Sequence, residues 1–222
     1  MLRELLEMPG VEEICELRGT IGLMAFHGGN LERTTDAVAR EVADRTGASF
    51  YAVLQAPPLR KHIPSTAFRP EDSLALSSFV SHVREAVAIH GYGRESSWWH
   101  LLLGGRNREL ARHLTEFLRE RLPDPYQVVD ELDAIPRELR GQHERNPVNL
   151  PLEAGVQIEL PPTIRWNRQH GNWSDHQGTP RAPQVDQLID ALVAGIEAWK
   201  ANAPNDEERL RKSFLGVHSR AE

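Results

Sequence analysis

Ile21-Gly-Leu-Met-Ala-Phe-His-Gly-Gly-Asn-Leu-Glu32 is the stretch whose reading decides the fold. Its apolar run, residues 21–26, is long enough for one strand buried on both faces, and such strands belong to parallel sheets covered by helices. The run ends in His27, two glycines turn the chain, and Glu32 opens a segment that reads as a helix. A histidine at a strand's carboxyl end and a carboxylate in the next helix's first turn point into one crevice, where open α/β sheets bind ligands. Both residue types are good zinc ligands. On these residues alone, a capped helix after a glycine turn explains the pattern equally well.

Outward from this stretch, the spacing predicts a helix over 32–46 ending at Gly47, a strand over 49–55 closed by Pro57-Pro58, and a polar loop over 59–68. A helix over 70–83 carries Glu71 and Asp72 in its first turn, where the helix dipole favours them. Strands follow over 85–90, ending in His90-Gly91, and over 98–104, ending in Gly104-Gly105. Arg106-Asn107 then opens a helix running to about residue 122. Residues 126–132 and 155–160 read as further strands, the latter with Glu159 near its end, while 136–152 and 161–184 read as loops. Residues 184–200 carry Val185, Leu188, Ile189, Leu192, Val193, Ile196 and Trp199 at the spacing of an amphipathic helix. Residues 1–16 read as a short helix containing Cys15, a small buried hydrophobe. Strands alternating with helices predict a single α/β domain over 1–200, with a mixed, mostly parallel sheet flanked by helices. Residues 201–222 turn polar and predict a frayed tail.

The 222 residues suit one domain of ordinary size. A net charge of −6 argues against a phosphate-tracking surface, so nucleic acid is not an expected partner. The single cysteine suits a reducing compartment. No run approaches the roughly 20 apolar residues of a membrane span, and the charged start has no secretory pattern. The expectation is a cytoplasmic monomer without membrane contact.

Repetition gives the strand ends their chemical meaning. His27-Gly-Gly and His90-Gly each terminate an apolar strand, and together with Glu32 they supply three ligands. Three protein ligands with a fourth position open is the arrangement of catalytic zinc. Such a metal acidifies water and polarises a carbonyl, the needs of amide hydrolysis. Glu159, between apolar Ile158 and Leu160, is the candidate to move the proton, the alternative being a salt-bridged strand glutamate. Arg106 and Arg94, each after a Gly-rich turn, are candidates to hold a substrate carboxylate. Asn107, Asn146 and Asn149 are further candidate contacts, though asparagines in loops are commonly turn formers. His62 is a rival or supporting ligand ranked below His27 and His90, because no strand runs directly into it. His100, His113, His143, His170 and His176 are expected at the surface.

Six segments in order, His27-Gly-Gly-Asn-Leu-Glu32, Leu59-Arg-Lys-His-Ile-Pro-Ser-Thr-Ala-Phe68, Ala88-Ile-His-Gly91, Gly104-Gly-Arg-Asn107, Asn146-Pro-Val-Asn149 and Gly155-Val-Gln-Ile-Glu-Leu160, together resemble the phage-type poly-γ-glutamate hydrolases. The resemblance covers about residues 20–200 and implies a zinc-carboxypeptidase-like fold with one Zn²⁺ per chain. It implies His27, Glu32 and His90 as metal ligands, Glu159 as general base, and endo-hydrolysis of γ-amide bonds in an anionic peptide-like polymer. This chain has Asn30-Leu31 where many relatives read Gly-Ile, and its pairs Trp98-Trp99 and Trp166 with Trp173 are not features of that family. Two other readings stay open: a metal-dependent amidase or carboxypeptidase for α-peptides, N-acyl amino acids or cell-wall peptides, and a non-catalytic, phage-derived binding module on the same fold.

Overall fold

The computed structural model describes residues 1–202. Seven strands form one sheet: β1 (Val11–Glu16), β2 (Ile21–Gly29), β3 (Ser49–Gln55), β4 (Glu85–Gly91), β5 (His100–Leu103), β6 (Gln127–Val129) and β7 (Gly155–Leu160). Their spatial order is β1-β3-β2-β4-β7-β5-β6. The pairs β2/β3, β2/β4, β4/β7 and β5/β6 run parallel, and β1/β3 and β5/β7 antiparallel. The sheet is therefore mixed and mostly parallel, as expected. The central strands β2, β4 and β7 are almost wholly buried along their length, which is why they read as continuous rather than alternating apolar runs.

Helices cover both faces. On one side α2 (Thr35–Thr46), α4 (Arg108–Arg121) and α6 (Pro183–Asn202) pack in the larger apolar cluster. Helix α6 buries Val185, Leu188, Ile189, Leu192 and Ile196 there, at roughly 1.5–3 kcal/mol for each fully buried side chain. On the other side α1 (Leu2–Leu6) and α3 (Leu74–His82) pack on Met24, Tyr51 and Val53. This second cluster runs up to Phe26, Phe68 and Val148, so its aromatic end floors the crevice at the strand termini.

Several boundaries differ from expectation, each for a local reason. The first sixteen residues hold a one-turn helix and then the antiparallel edge strand β1, with the break at Pro9-Gly10, and Cys15 is a half-buried strand residue. Glu71 and Asp72 sit in a separate 3-10 turn, because Ser73 is extended and caps α3 by accepting from the Leu76 N–H. Trp98 and Trp99 precede β5 instead of forming it, and β6 is only three residues long. The expected loop 161–184 contains α5 (Pro162–Arg165) and a small hairpin, β8 (Trp166–Asn167) with β9 (Asn172–Trp173), closed by edge-on packing of Trp166 on Trp173 at 5.2 Å. His113 is half-buried and bonds the Gly195 carbonyl across α4 and α6. Residues 201–202 continue α6, and the rest of the expected tail lies outside the described residues.

Candidate metal centre

His27 lies inside β2, not in the turn after it, and Glu32 precedes α2 instead of belonging to its first turn. A register shift between Ala25 and Gly28 places one extra residue on β2 against β3. The bulge turns two consecutive side chains to the same side: Phe26 and His27 both pack on the Phe68 ring, at 5.0 and 5.7 Å. Regular alternation would send the imidazole to the opposite face, under α2. The Glu32 N–H then closes the turn on the His27 carbonyl at 2.8 Å. Glycine follows His27 because β3 lies close: a Cβ on Gly28 would stand 2.5 Å from Leu54 Cδ2, and one on Gly29, at φ +66°, 2.5 Å from the Gln55 carbonyl oxygen.

Glu32 is the hub. Its Oε1 lies 2.7 Å from His27 Nδ1, and its Oε2 lies 3.3 Å from His90 Nδ1 and accepts the Gly91 N–H at 2.9 Å. Burial opposes ionising this carboxyl, but the facing His27 and His90 rings prevail and hold it well below the usual carboxylate range. Burial likewise opposes a charge on His90, yet Glu32 raises its pKa. The His27 and His90 ring centroids are 5.1 Å apart, and the His62 ring is 4.7 Å from His27. Donor atoms of His27, Glu32 and His62 all fall within 4.8 Å of one another. His62, on an exposed loop, is held below the usual histidine range by partial burial and then by His27. The structure therefore brings four candidate ligands together.

Two observations test whether these groups suit a cation. The His27 Nε2–H donates to the Ile63 carbonyl at 2.9 Å, which leaves Nδ1 to face a carboxylate oxygen. An unprotonated nitrogen against a carboxylate is repulsive unless a proton or a metal ion stands between them. A second-nitrogen bond to a backbone carbonyl is also how metal-binding imidazoles are oriented. The second observation is His90 Nε2, which is buried without a hydrogen-bond partner among the described residues. The donor set fits a divalent metal.

Glu159 lies beside this cluster because β4 and β7 pair in register, His90 opposite Glu159. Burial pushes its carboxyl up to about 7. Gln157, two residues back on the same face, donates to Glu159 Oε1 at 2.9 Å and is itself held by the Asn146 amide at 2.7 Å. Alternation within Gly-Val-Gln-Ile-Glu-Leu carries this relay, and a buried glutamine at that spacing was its signal in the sequence.

The other named residues go elsewhere. Asn107 caps α4 by accepting from the Leu110 N–H. Asn149 accepts the Arg106 N–H at 3.0 Å and donates to the Gly141 and His143 carbonyls. Arg106 is solvent-exposed, and Arg94 pairs with Glu138 at the surface. Of the five candidate substrate contacts, Asn146 alone connects to the cluster, through Gln157. Two recesses adjoin the cluster. A cleft of about 770 Å³ includes Ser65, Arg137, Arg140, His143 and Gln157, and a smaller one of about 200 Å³ includes Glu32.

The sequence pattern of the poly-gamma-glutamate hydrolase family matches residues 9–182. The chain belongs to this family. Among relatives of the poly-gamma-glutamate hydrolase family member described here, the SPbeta prophage-derived UPF0714 protein YoqZ of Bacillus subtilis (strain 168) is 31% identical over 151 residues, 68% of this chain and 51% of that protein. The chain thus spans about half the length of that curated relative. A bacteriophage poly-gamma-glutamate hydrolase shares the fold with a TM-score of 0.75 at 21% identity, over 90% of this chain and 95% of that one. YNDL in its zinc-free apo form gives a TM-score of 0.71 at 19% identity, over 88% and 94%. No helix among the described residues is long and apolar enough to cross a membrane.

Proposed function

We propose that the chain is a zinc-dependent amide hydrolase that cleaves γ-glutamyl bonds of poly-γ-glutamate or a closely related polymer. The observation that carries this reading is the convergence of His27 and His90 on the single Glu32 carboxylate, with Glu159 on the neighbouring strand. Family membership and the names of the bacteriophage hydrolase and of zinc-free YNDL support it.

His27, Glu32 and His90 would hold the ion. His90 is preferred to His62 as third ligand because it is buried, faces Glu32 and has an unpartnered nitrogen, whereas His62 sits on an exposed loop. When bound, zinc supplies Lewis acidity, polarising the scissile carbonyl and acidifying water. Glu159 does the proton work. With a pKa near neutrality it accepts a proton from water and returns it to the leaving nitrogen. Gln157 and Asn146 fix the carboxylate for both transfers.

Metal content and substrate preference test the reading together. Freshly purified protein is expected to carry one zinc per chain and to cut γ-linked oligoglutamate in preference to the α-linked isomer. Glu159→Gln is expected to keep the zinc and lose at least ~10²-fold in rate. Protein without stoichiometric metal, or one preferring α-linkages, would overturn it.

A further inference from the structure

The smaller recess beside Glu32 gathers three guanidinium groups, Arg33, Arg60 and Arg165, with Tyr92 and Trp173. Arg165 is only 5% exposed. Its Nη2 donates to the Tyr92 carbonyl at 3.0 Å and its Nη1 to the Arg33 carbonyl at 3.2 Å, while Nε is buried without a partner among the described residues. The group lies over the Trp173 ring at 4.9 Å, and a Cβ on Gly91 would stand 2.6 Å from its Cζ, so the glycine after His90 is what admits it. Among the described residues Arg33 hydrogen-bonds only the neutral Asn30 amide oxygen, and its charge repels that of Arg60. No ion pair among the described residues involves any of the three. Among the described residues, the only carboxylate lining the recess is Glu32, already committed to His27, His90 and the Gly91 N–H.

The Glu32 and Glu159 carboxylates act on Arg165 from a distance, but neither pairs with it directly. A buried guanidinium without a direct ion pair is costly, and three cations around one small hollow form a receptor for an anion. We infer that the recess is a carboxylate subsite, holding the α-carboxylate of the glutamyl unit whose nitrogen leaves; this rests on the γ-glutamyl hydrolase reading above. In a γ-linked chain every α-carbon that carries an amide nitrogen also bears a free carboxylate. In an α-linked chain that position is occupied by the next peptide carbonyl. A carboxylate receptor next to the metal ligands therefore selects the linkage, and Arg33, Arg60 and Arg165 are specificity residues where the sequence had pointed to Arg94 and Arg106.

The test uses the zinc-loaded full chain with γ-linked oligoglutamate and the same oligomer amidated at its α-carboxylates. Arg60→Gln, an exposed change that leaves the core alone, and Arg165→Lys are each expected to lower kcat/KM at least tenfold on the free-acid substrate, mainly through KM. On the amidated substrate they should stay within about twofold of the parent. Equal losses on both substrates, or none, would overturn the subsite. Titration calorimetry of γ-linked oligoglutamate into zinc-loaded Glu159→Gln separates this outcome from failure of the hydrolase reading. If the parent cuts no γ-bond, a tenfold weaker Kd on adding Arg60→Gln still upholds the subsite, and an unchanged Kd rejects it.

Discussion

Replacing His90 by alanine removes the buried imidazole that shares Glu32 with His27, so zinc content should fall below one tenth of an equivalent per chain by elemental analysis. His62→Ala should retain the full equivalent, since that side chain stands on an exposed loop; loss of zinc in His62→Ala instead would make it the third ligand. Glu159 permits a second residue-level prediction. Burial raises its folded pKa to about 7 from an ordinary 4.5, so the unfolded chain releases this proton first as pH rises. The metal-free protein therefore loses stability between about pH 4.5 and 7, and the loss persists above that range. Chelator-treated Glu159→Gln should exceed the parent by up to roughly 3 kcal/mol at pH 8 and match it near pH 4, by chemical denaturation at each pH. The metal-binding and proton-moving candidates were legible as residues because strand-end histidines and a carboxylate inside an apolar strand are conspicuous. Arg165 was not, since nothing in Pro-Thr-Ile-Arg-Trp distinguishes a buried guanidinium from an exposed one.

At the scale of elements, the bulge in β2 decides which face His27 serves, and the glycines after it let β2 lie against β3. Gly29→Ala combines a left-handed backbone with a clash against the Gln55 backbone, which cannot move aside without disturbing β3. It should cost at least about 2 kcal/mol in denaturant unfolding and weaken zinc retention as well. Central strands and long helices were readable from apolar runs and 3.6-residue spacing. The bulge was not, because periodicity cannot show an extra residue on one strand when nearly every position is buried. The edge strand β1 was lost for a different reason: Val-Glu-Glu-Ile-Cys-Glu alternates poorly, and its pairing with β3 is supplied by tertiary contact.

For the whole molecule, the two apolar clusters hold the sheet between its helices without help from the site, so metal removal should lower stability and not abolish the fold. Zinc at a hundred times its Kd adds about 2.7 kcal/mol, which for a chain of this size raises Tm by roughly 5–11 °C. Calorimetric scans with and without chelator should show that shift in the parent and none in His90→Ala. The α/β class and the parallel centre of the sheet were legible from alternation of strands and helices. The helix-and-hairpin unit over residues 162–173 was not, since its two-residue strands carry no periodic signal, and it delivers both Arg165 and Trp173.

Because the residues proposed to hold the ion stand on or just after adjacent strands whose apolar core is built from other side chains, catalytic competence can be separated from persistence of the protein. A molecule made where zinc is scarce would wait intact in a dormant form. On the function proposed above, zinc arriving later would switch on hydrolysis with no refolding and no new synthesis.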